Sequence, residues 1–220
     1  MVNVQLEITY QTPKGTETTF VSEEMRAQKA LLIAEDLQKT GRVSDIQFTD
    51  THDNSWNMKE LSKQMEEIQT EPHNITVYFD GGYDRKTRTS GLGCAIYYEQ
   101  NDKAYRLRKN ARVEELESNN EAEYAACHLA LQELEYLDVH HLPVTITGDS
   151  LVVIMQLKGE WPCYEPQLSR WADRIENAIS RMGIDPEFNL VSRKKNKEAD
   201  HLASQALQDI EITSTTEQSN

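Results

Sequence analysis

Basic charge is what this 220-residue chain has least of: 23 lysines and arginines stand against 37 aspartates and glutamates, a formal net charge of −14. A protein that coats phosphate backbones by bulk attraction needs a basic footprint, so that mode of nucleic-acid binding is excluded. Cysteine is scarce as well. Cys94, Cys127 and Cys163 are too few and too far apart for a disulfide framework or a Cys-x-x-Cys zinc site, and two of them lie within apolar patterns as small core residues. The six histidines are scattered. The one adjacent pair, His140-His141, points in two directions, so a histidine zinc site is not expected. No run approaches the roughly 20 apolar residues that cross a bilayer. The start, MVNVQLEITYQ, lacks the basic and apolar stretches of a secretory leader. A cytoplasmic protein with no membrane segment is the expectation. Hydrophobic residues still make up 38% of the chain, enough to build a core.

Two domains are expected. Residues 1–68 read as a small α+β domain of unknown role. Val2, Val4, Leu6, Ile8 and Tyr10 alternate with polar residues, the period of a half-buried strand. Turn chemistry at Thr12-Pro13-Lys14-Gly15 leads to a returning strand at Glu17 to Val21. Ser22 is placed to cap a helix that runs to Lys39 and stops at Gly41. A strand from Val43 to Thr49, a polar turn over Asp50 to Asn54, and a helix from Met58 to Gln69 complete the unit, with Trp56 as a packed anchor. This part is acidic and offers no catalytic cluster. The polar stretch 69–74, with Pro72, reads as a linker.

Residues 75–210 form the second domain. Ile75, Val77 and Phe79 alternate into Asp80-Gly81-Gly82, and strands follow at Cys94 to Glu99 and around Ala104 to Lys109. A long helix from Ser118 to Leu137 precedes the strand Val144 to Thr147. Helices at Leu151 to Lys158 and Pro166 to Arg181, a strand Phe188 to Ser192 and a helix Lys197 to Gln208 close the domain. Strands in series followed by alternating helices and strands predict an α/β fold: a mixed five-stranded sheet with helices on both faces. Residues 211–220, rich in Ser, Thr and Gln, read as a disordered tail.

Four carboxylates carry the functional signal. Asp80 ends an apolar strand. Glu123 lies four residues before Cys127 and seven before Ala130, on the core-facing side of its helix, where an acid is costly unless paired. Glu121, by contrast, is accounted for by a capping box with Ser118. Asp149 ends a second strand just before a helix; if the two strands are adjacent and parallel, Asp80 and Asp149 emerge at one sheet edge, where α/β proteins place ligands. Asp200 lies beside the apolar stripe Ala199, Leu202, Ala203 and Ala206 of the last helix. Each alone has an ordinary structural reading as a turn, cap or surface acid.

Taken in order, these pieces resemble the type 1 ribonuclease H family, particularly its reverse-transcriptase-like branch. The matching segments are ITVYFDGG with GLGCAIYY, SNNEAEYAACHLAL, TITGDSLVVIMQLKG and NLVSRKKNKEADHLASQAL, within residues 75–207. The resemblance implies a ribonuclease H-like fold and an endoribonuclease that cuts the RNA strand of an RNA–DNA hybrid. It implies that Asp80, Glu123, Asp149 and Asp200 are the catalytic acids and the ligands of two Mg²⁺ or Mn²⁺ ions, leaving 5′-phosphate and 3′-hydroxyl ends. Hard divalent cations want carboxylate oxygens rather than His or Cys, which suits these residue types. Asn119 and Asn120 match the family's pair beside the substrate backbone, where an amide can donate to and accept from a ribose 2′-OH. Gly81 and Gly82 would let the backbone approach the nucleic acid closely.

Two features depart from the family. The loop after Asp80 is Tyr83 to Ser90 rather than an Asn-Pro-Gly type of turn. Where many members carry a flexible His, this chain has Ser192-Arg193-Lys194-Lys195-Asn196. Arg193 can hold phosphate but cannot act as a base near neutral pH; it and Asn196 are placed among the substrate contacts. The basic substrate-gripping insertion of some members is missing between Leu151 and Arg181, where Trp161 and Trp171 are read as core. Basic residues group at Arg85, Lys86 and Arg88 and at Arg193, Lys194, Lys195 and Lys197, placed to touch phosphates. The competing reading is a weakly active or inactive nucleic-acid-binding or scaffolding protein on the same fold, with the N-terminal domain as its working part and its protein partner unknown. A carboxylate-pair glycosidase leaves the Asn pair and the fourth acid without a role.

Overall fold

The computed structural model describes residues 3–51 and 53–218, without the side chains of residues 67–69. Val2 of the first expected strand, His52 of the expected polar turn and the last two residues of the tail lie outside them. The chain divides into two compact units, residues 1–70 and 71–220.

In the first unit, β1 (Asn3–Gln11) buries Val4 and Leu6 and turns their polar neighbours outward. It pairs antiparallel with β2 (Glu17–Val21), with β3 (Met25–Arg26) and with β4 (Val43–Asp50), which in turn pairs with β5 (Ser55–Trp56). Helices α1 (Ala27–Lys39) and α2 (Met58–Thr70) supply the other half of a core built from Val4, Leu6, Ala27, Ala30, Ala34, Phe48 and Leu61, with Trp56 packed against it. Ser22 does not cap α1. Its hydroxyl accepts the Leu6 N–H at 2.9 Å and donates to the Glu23 carbonyl at 2.7 Å, so strand pairing claims the oxygen and α1 begins only at Ala27.

The second unit is a mixed sheet of six strands in the order β10-β9-β6-β7-β8-β11. Strands β6 (His73–Asp84), β7 (Thr89–Gln100) and β8 (Lys103–Val113) form an antiparallel meander; β9 (Pro143–Gly148) runs parallel to β6, and β10 (Asp185–Leu190) parallel to β9. Helix α3 (Asn119–Tyr136) follows the meander, α4 (Leu151–Leu157) and α5 (Pro166–Met182) follow β9, and α6 (Lys197–Leu207) follows a 3-10 turn at Arg193–Lys195. The Ser118 hydroxyl caps α3 by accepting the Glu121 N–H at 3.1 Å, while the Glu121 carboxylate accepts the Glu117 N–H at 2.9 Å.

Three expectations change. The connection within residues 69–74 is shorter than expected: α2 runs to Thr70 and β6 starts at His73, leaving only Glu71 and Pro72 between. The tail is not disordered, because β11 (Thr213–Gln218) adds to the free edge of β8 as a sixth strand, with Thr215 opposite Leu107. Its polar composition suits an edge strand exposed over most of its length. Trp161 is not core but is 42% exposed.

Glycine explains why β6 and β7 run longer than the pattern predicted. A Cβ on Gly81 would stand 2.2 Å from the backbone of Ala122 on α3, and one on Gly91 or Gly93 would stand 2.0 or 2.4 Å from carbonyl oxygens of α6. These glycines lie inside strands where helix backbones press against the sheet, α3 at Gly81 and α6 at Gly91 and Gly93. Among the described residues no helix is long and apolar enough to cross a membrane.

Candidate metal centre

The parallel pairing of β6 with β9 puts Tyr78 opposite Thr147. Asp80 and Asp149 follow two residues later, Asp80 within β6 and Asp149 just past the C-terminal end of β9. Phe79 and Gly148 precede them, and a Cβ on Gly148 would lie 2.6 Å from the Phe79 ring. Gly148 thus lets the two strand ends close on each other. Sequence reasoning missed that role, although a glycine directly before the strand-end acid was its visible signal.

Glu123 reaches the same place from α3. It is 5% exposed, and its Oε2 accepts the Gly81 N–H at 3.3 Å. Gly81 therefore serves the close approach of α3 and the orientation of Glu123, because α3 occupies the space its missing Cβ leaves. Gly82 differs: only Leu207 Cδ1, at 3.5 Å, would meet a Cβ there.

Ligand oxygens of Asp80, Glu123 and Asp149 all lie within 4.8 Å of one another. Burial pushes the Asp80 carboxyl up to about 7, with the charges of Asp149 and Asp200 adding to the effect. Glu123 rises further, to about 9, from burial and then from the charges of Asp80 and Asp149. Like charges crowded in a dry pocket are stable only when protonated or when a cation joins them. All the donors are carboxylate oxygens, the set a hard divalent cation prefers. The three residues could hold such an ion.

Asp200 is not in that group. Its Oδ1 accepts Nε of Arg193 at 2.9 Å and also Nη2 of the same guanidinium. Asn196 is placed differently from expectation. It is 1% exposed, and its amide donates to the Phe79 carbonyl at 2.9 Å and, at 3.5 Å, to Asp149 Oδ1. Its side chain bridges the two strand ends inside the protein and is not available to a substrate. Asn119 is exposed, and its Oδ1 accepts the Tyr83 N–H at 3.3 Å. Asn120 is half-buried beside it. Trp171 donates from Nε1 to Glu121 at 3.1 Å and carries the Arg174 guanidinium 4.6 Å above its ring, a packed rather than a free aromatic. Arg85, Lys86 and Arg88 are exposed in the turn between β6 and β7.

A model of the reverse transcriptase-like family matches residues 78–206. The uncharacterized protein YpeP of Bacillus subtilis (strain 168) is 43% identical over 196 residues, 88% of this chain and 86% of that protein. Ribonuclease HI of Halobacterium salinarum is 36% identical over 93 residues, 42% of this chain and 45% of that protein, so the match spans less than half of its length. The crystal structure of RNase H1 from Halobacterium salinarum NRC-1 superposes with a TM-score of 0.53 at 25% identity, covering 61% of this chain and 98% of that one. LC11-RNase H1 in complex with an RNA/DNA hybrid superposes with a TM-score of 0.55 at 24% identity, covering 62% and 98%, and shares the fold.

Proposed function

The chain belongs to the reverse transcriptase-like family, and from that premise we propose that it is a metal-dependent endoribonuclease hydrolysing the RNA strand of RNA–DNA hybrids. The observation that carries the reading is the convergence of Asp80, Glu123 and Asp149, from two strands and a helix, within 4.8 Å. A protein that only bound nucleic acid would have no use for two acids buried against each other. The family, the ribonuclease H neighbours and the fold support nuclease chemistry on such substrates in general.

Asp80, Glu123 and Asp149 would hold divalent ions, with Asp200 as the fourth acid. When bound, two Mg²⁺ or Mn²⁺ ions supply activation of water and stabilisation of the leaving 3′ oxygen in an in-line displacement, leaving 5′-phosphate and 3′-hydroxyl ends. The chain's own part is to position. Asn196 ties β6 at Phe79 to Asp149, and the Gly81 N–H orients Glu123. Asn119, with Asn120 beside it, presents amide donors to a ribose 2′-OH, the group that separates RNA from DNA. The space beside Gly82 admits a close backbone approach, and Arg193 is a cation for a phosphate.

The test is cleavage of a labelled RNA–DNA hybrid in Mg²⁺ or Mn²⁺ by the wild type and by Asp80→Asn. Cutting of the RNA strand that disappears in the variant is the expected result. Cutting that persists unchanged would remove the site assignment. The second reading, a nuclease-poor binding protein on the same fold, is favoured by one observation: Asp200 is engaged by Arg193 instead of joining the other three acids. Hybrid binding without cutting by either protein would select it.

A further inference from the structure

One of the four acids is held by a cation that the chain itself provides. Two nitrogens of the Arg193 guanidinium converge on Asp200 Oδ1. Asp200 sits in the first turn of α6, between Ala199 and Leu202, both buried, so the helix fixes its position. Arg193, by comparison, opens the exposed 3-10 turn before α6, and its side chain is 79% exposed against 30% for Asp200. The guanidinium also lies within the field of Asp80 and Asp149, which together with Asp200 push its pKa up. It is therefore a cation of the whole cluster, reaching it on a long tether.

Resting on the reading above, we propose that Arg193 is a tethered counter-cation of the metal centre, which holds Asp200 in the metal-free protein and must yield it to a second divalent ion. The site then loads in two unequal steps. The first ion meets three preassembled carboxylates that, among the described residues, no cation bridges. The second meets a carboxylate already paired. The competition is modest in size, because an ion pair this exposed is worth on the order of 1 kcal/mol or less. It does not depend on pH in the working range, since a guanidinium stays charged. Displacement frees Arg193 for a phosphate of the substrate strand. By linkage, a polyanion that engages the guanidinium favours binding of the second ion by the same factor.

Calorimetric titration of the full chain with MnCl₂, with bound Mn²⁺ counted by electron paramagnetic resonance, reads this directly and needs no activity. The proteins compared are wild type, Arg193→Ala, Asp200→Asn and the double variant. Wild type is expected to show a stronger and a weaker step. Arg193→Ala strengthens the weaker step about twofold to fivefold, with a smaller gain in the stronger one. Asp200→Asn removes the weaker step, and adding Arg193→Ala in that background does not restore it. One ion in wild type that becomes two in Arg193→Ala supports the same conclusion. A weaker step unchanged or weakened in Arg193→Ala overturns the counter-cation role while leaving the metal centre standing, as does a single ion in both proteins. No bound ion in either protein overturns the metal reading itself, and this inference with it.

Discussion

Asp80 and Asp149 stand level with each other at the open end of two adjacent parallel strands, each two residues past the last registered pair, Tyr78 and Thr147. Register alone places two acids side by side, and α3 brings Glu123 over the Gly81 N–H to complete the group. Nothing in local preference favours this arrangement. β9 stops there while β6 runs on beside β7, the carboxylates repel, and burial discourages their charge. The sheet edge is thus a place where stability has been given up for a site.

That cost has a pH dependence of known sign. A carboxyl whose folded pKa lies above its unfolded value binds more protons folded than unfolded, so stability falls as pH rises. For the metal-free protein the stability present below about pH 4 is lost as pH rises through about 7 for Asp80 and about 9 for Glu123. Asp80→Asn and Glu123→Gln should therefore unfold at higher denaturant than wild type at pH 9, by on the order of a few kcal/mol. The gap should close near pH 4. Urea titrations in chelator at the two pH values measure it, and equal stabilities at pH 9 would mean the acids are not strained by burial.

Two neighbouring glycines should respond in opposite ways. Gly81→Ala drives a methyl to 2.2 Å from the Ala122 backbone, and α3 can relieve it only by moving off the sheet. The expected loss is roughly 3 kcal/mol or more, with loss of metal affinity as Glu123 is displaced. Gly82→Ala meets only a leucine methyl at ordinary distance and should cost roughly 1 kcal/mol or less. Denaturation midpoints of the two variants decide it; similar losses would mean that helix approach is not what Gly81 serves.

Much of this was legible beforehand, and the failures share a cause. The inward side of α3 follows from the spacing of Glu123, Cys127 and Ala130, all three buried, because helical periodicity is local. That β6 and β9 are parallel neighbours was only a condition of the sequence reading, and the sheet register meets it. Glycine was only partly legible: Gly81 read as a point of close approach for nucleic acid and is instead a contact point for the α3 backbone, and the contacts of Gly91 and Gly93 with α6 are a tertiary fact. Ser22 read as a cap because its competing partner, the Leu6 N–H, is 16 residues away. The tail read as disordered because its composition is polar, yet an edge strand exposed on most of its length needs no apolar pattern. Asp200 pairs with Arg193, a side-chain contact that no sequence pattern encodes.

The strand formed by the tail makes its own prediction through Asn110. This buried amide donates to the Leu202 carbonyl at 3.0 Å and the Ile210 carbonyl at 2.9 Å, and accepts the Ile212 N–H at 2.7 Å. It joins β8, α6 and the start of the tail. Asn110→Ala leaves buried backbone groups unpaired and should cost roughly 2–4 kcal/mol. Deleting residues 211–220 should cost roughly 2 kcal/mol or more and speed amide exchange along β8, whose outer edge is then bare. A deletion without effect on either measurement would return the tail to disorder.

Asn196 allows the sharpest separation of geometry from charge at the site. Its amide nitrogen supplies the Phe79 carbonyl with a donor where β9 has diverged from β6, and it also reaches Asp149. Asn196→Ala removes the donor and leaves that carbonyl buried and unpaired, a loss of roughly 1–3 kcal/mol. It should also weaken Mn²⁺ binding, because Asp149 loses a fixed neighbour. Asn196→Asp keeps the shape but can donate only while protonated, and once ionised it adds a negative charge beside Asp149. Its stability deficit should therefore grow as pH rises through the carboxylate range, whereas that of Asn196→Ala stays flat relative to wild type over the same interval. Parallel curves for the two variants would mean that Asn196 merely fills space, and the link between α6 and the strand ends would have to be sought elsewhere.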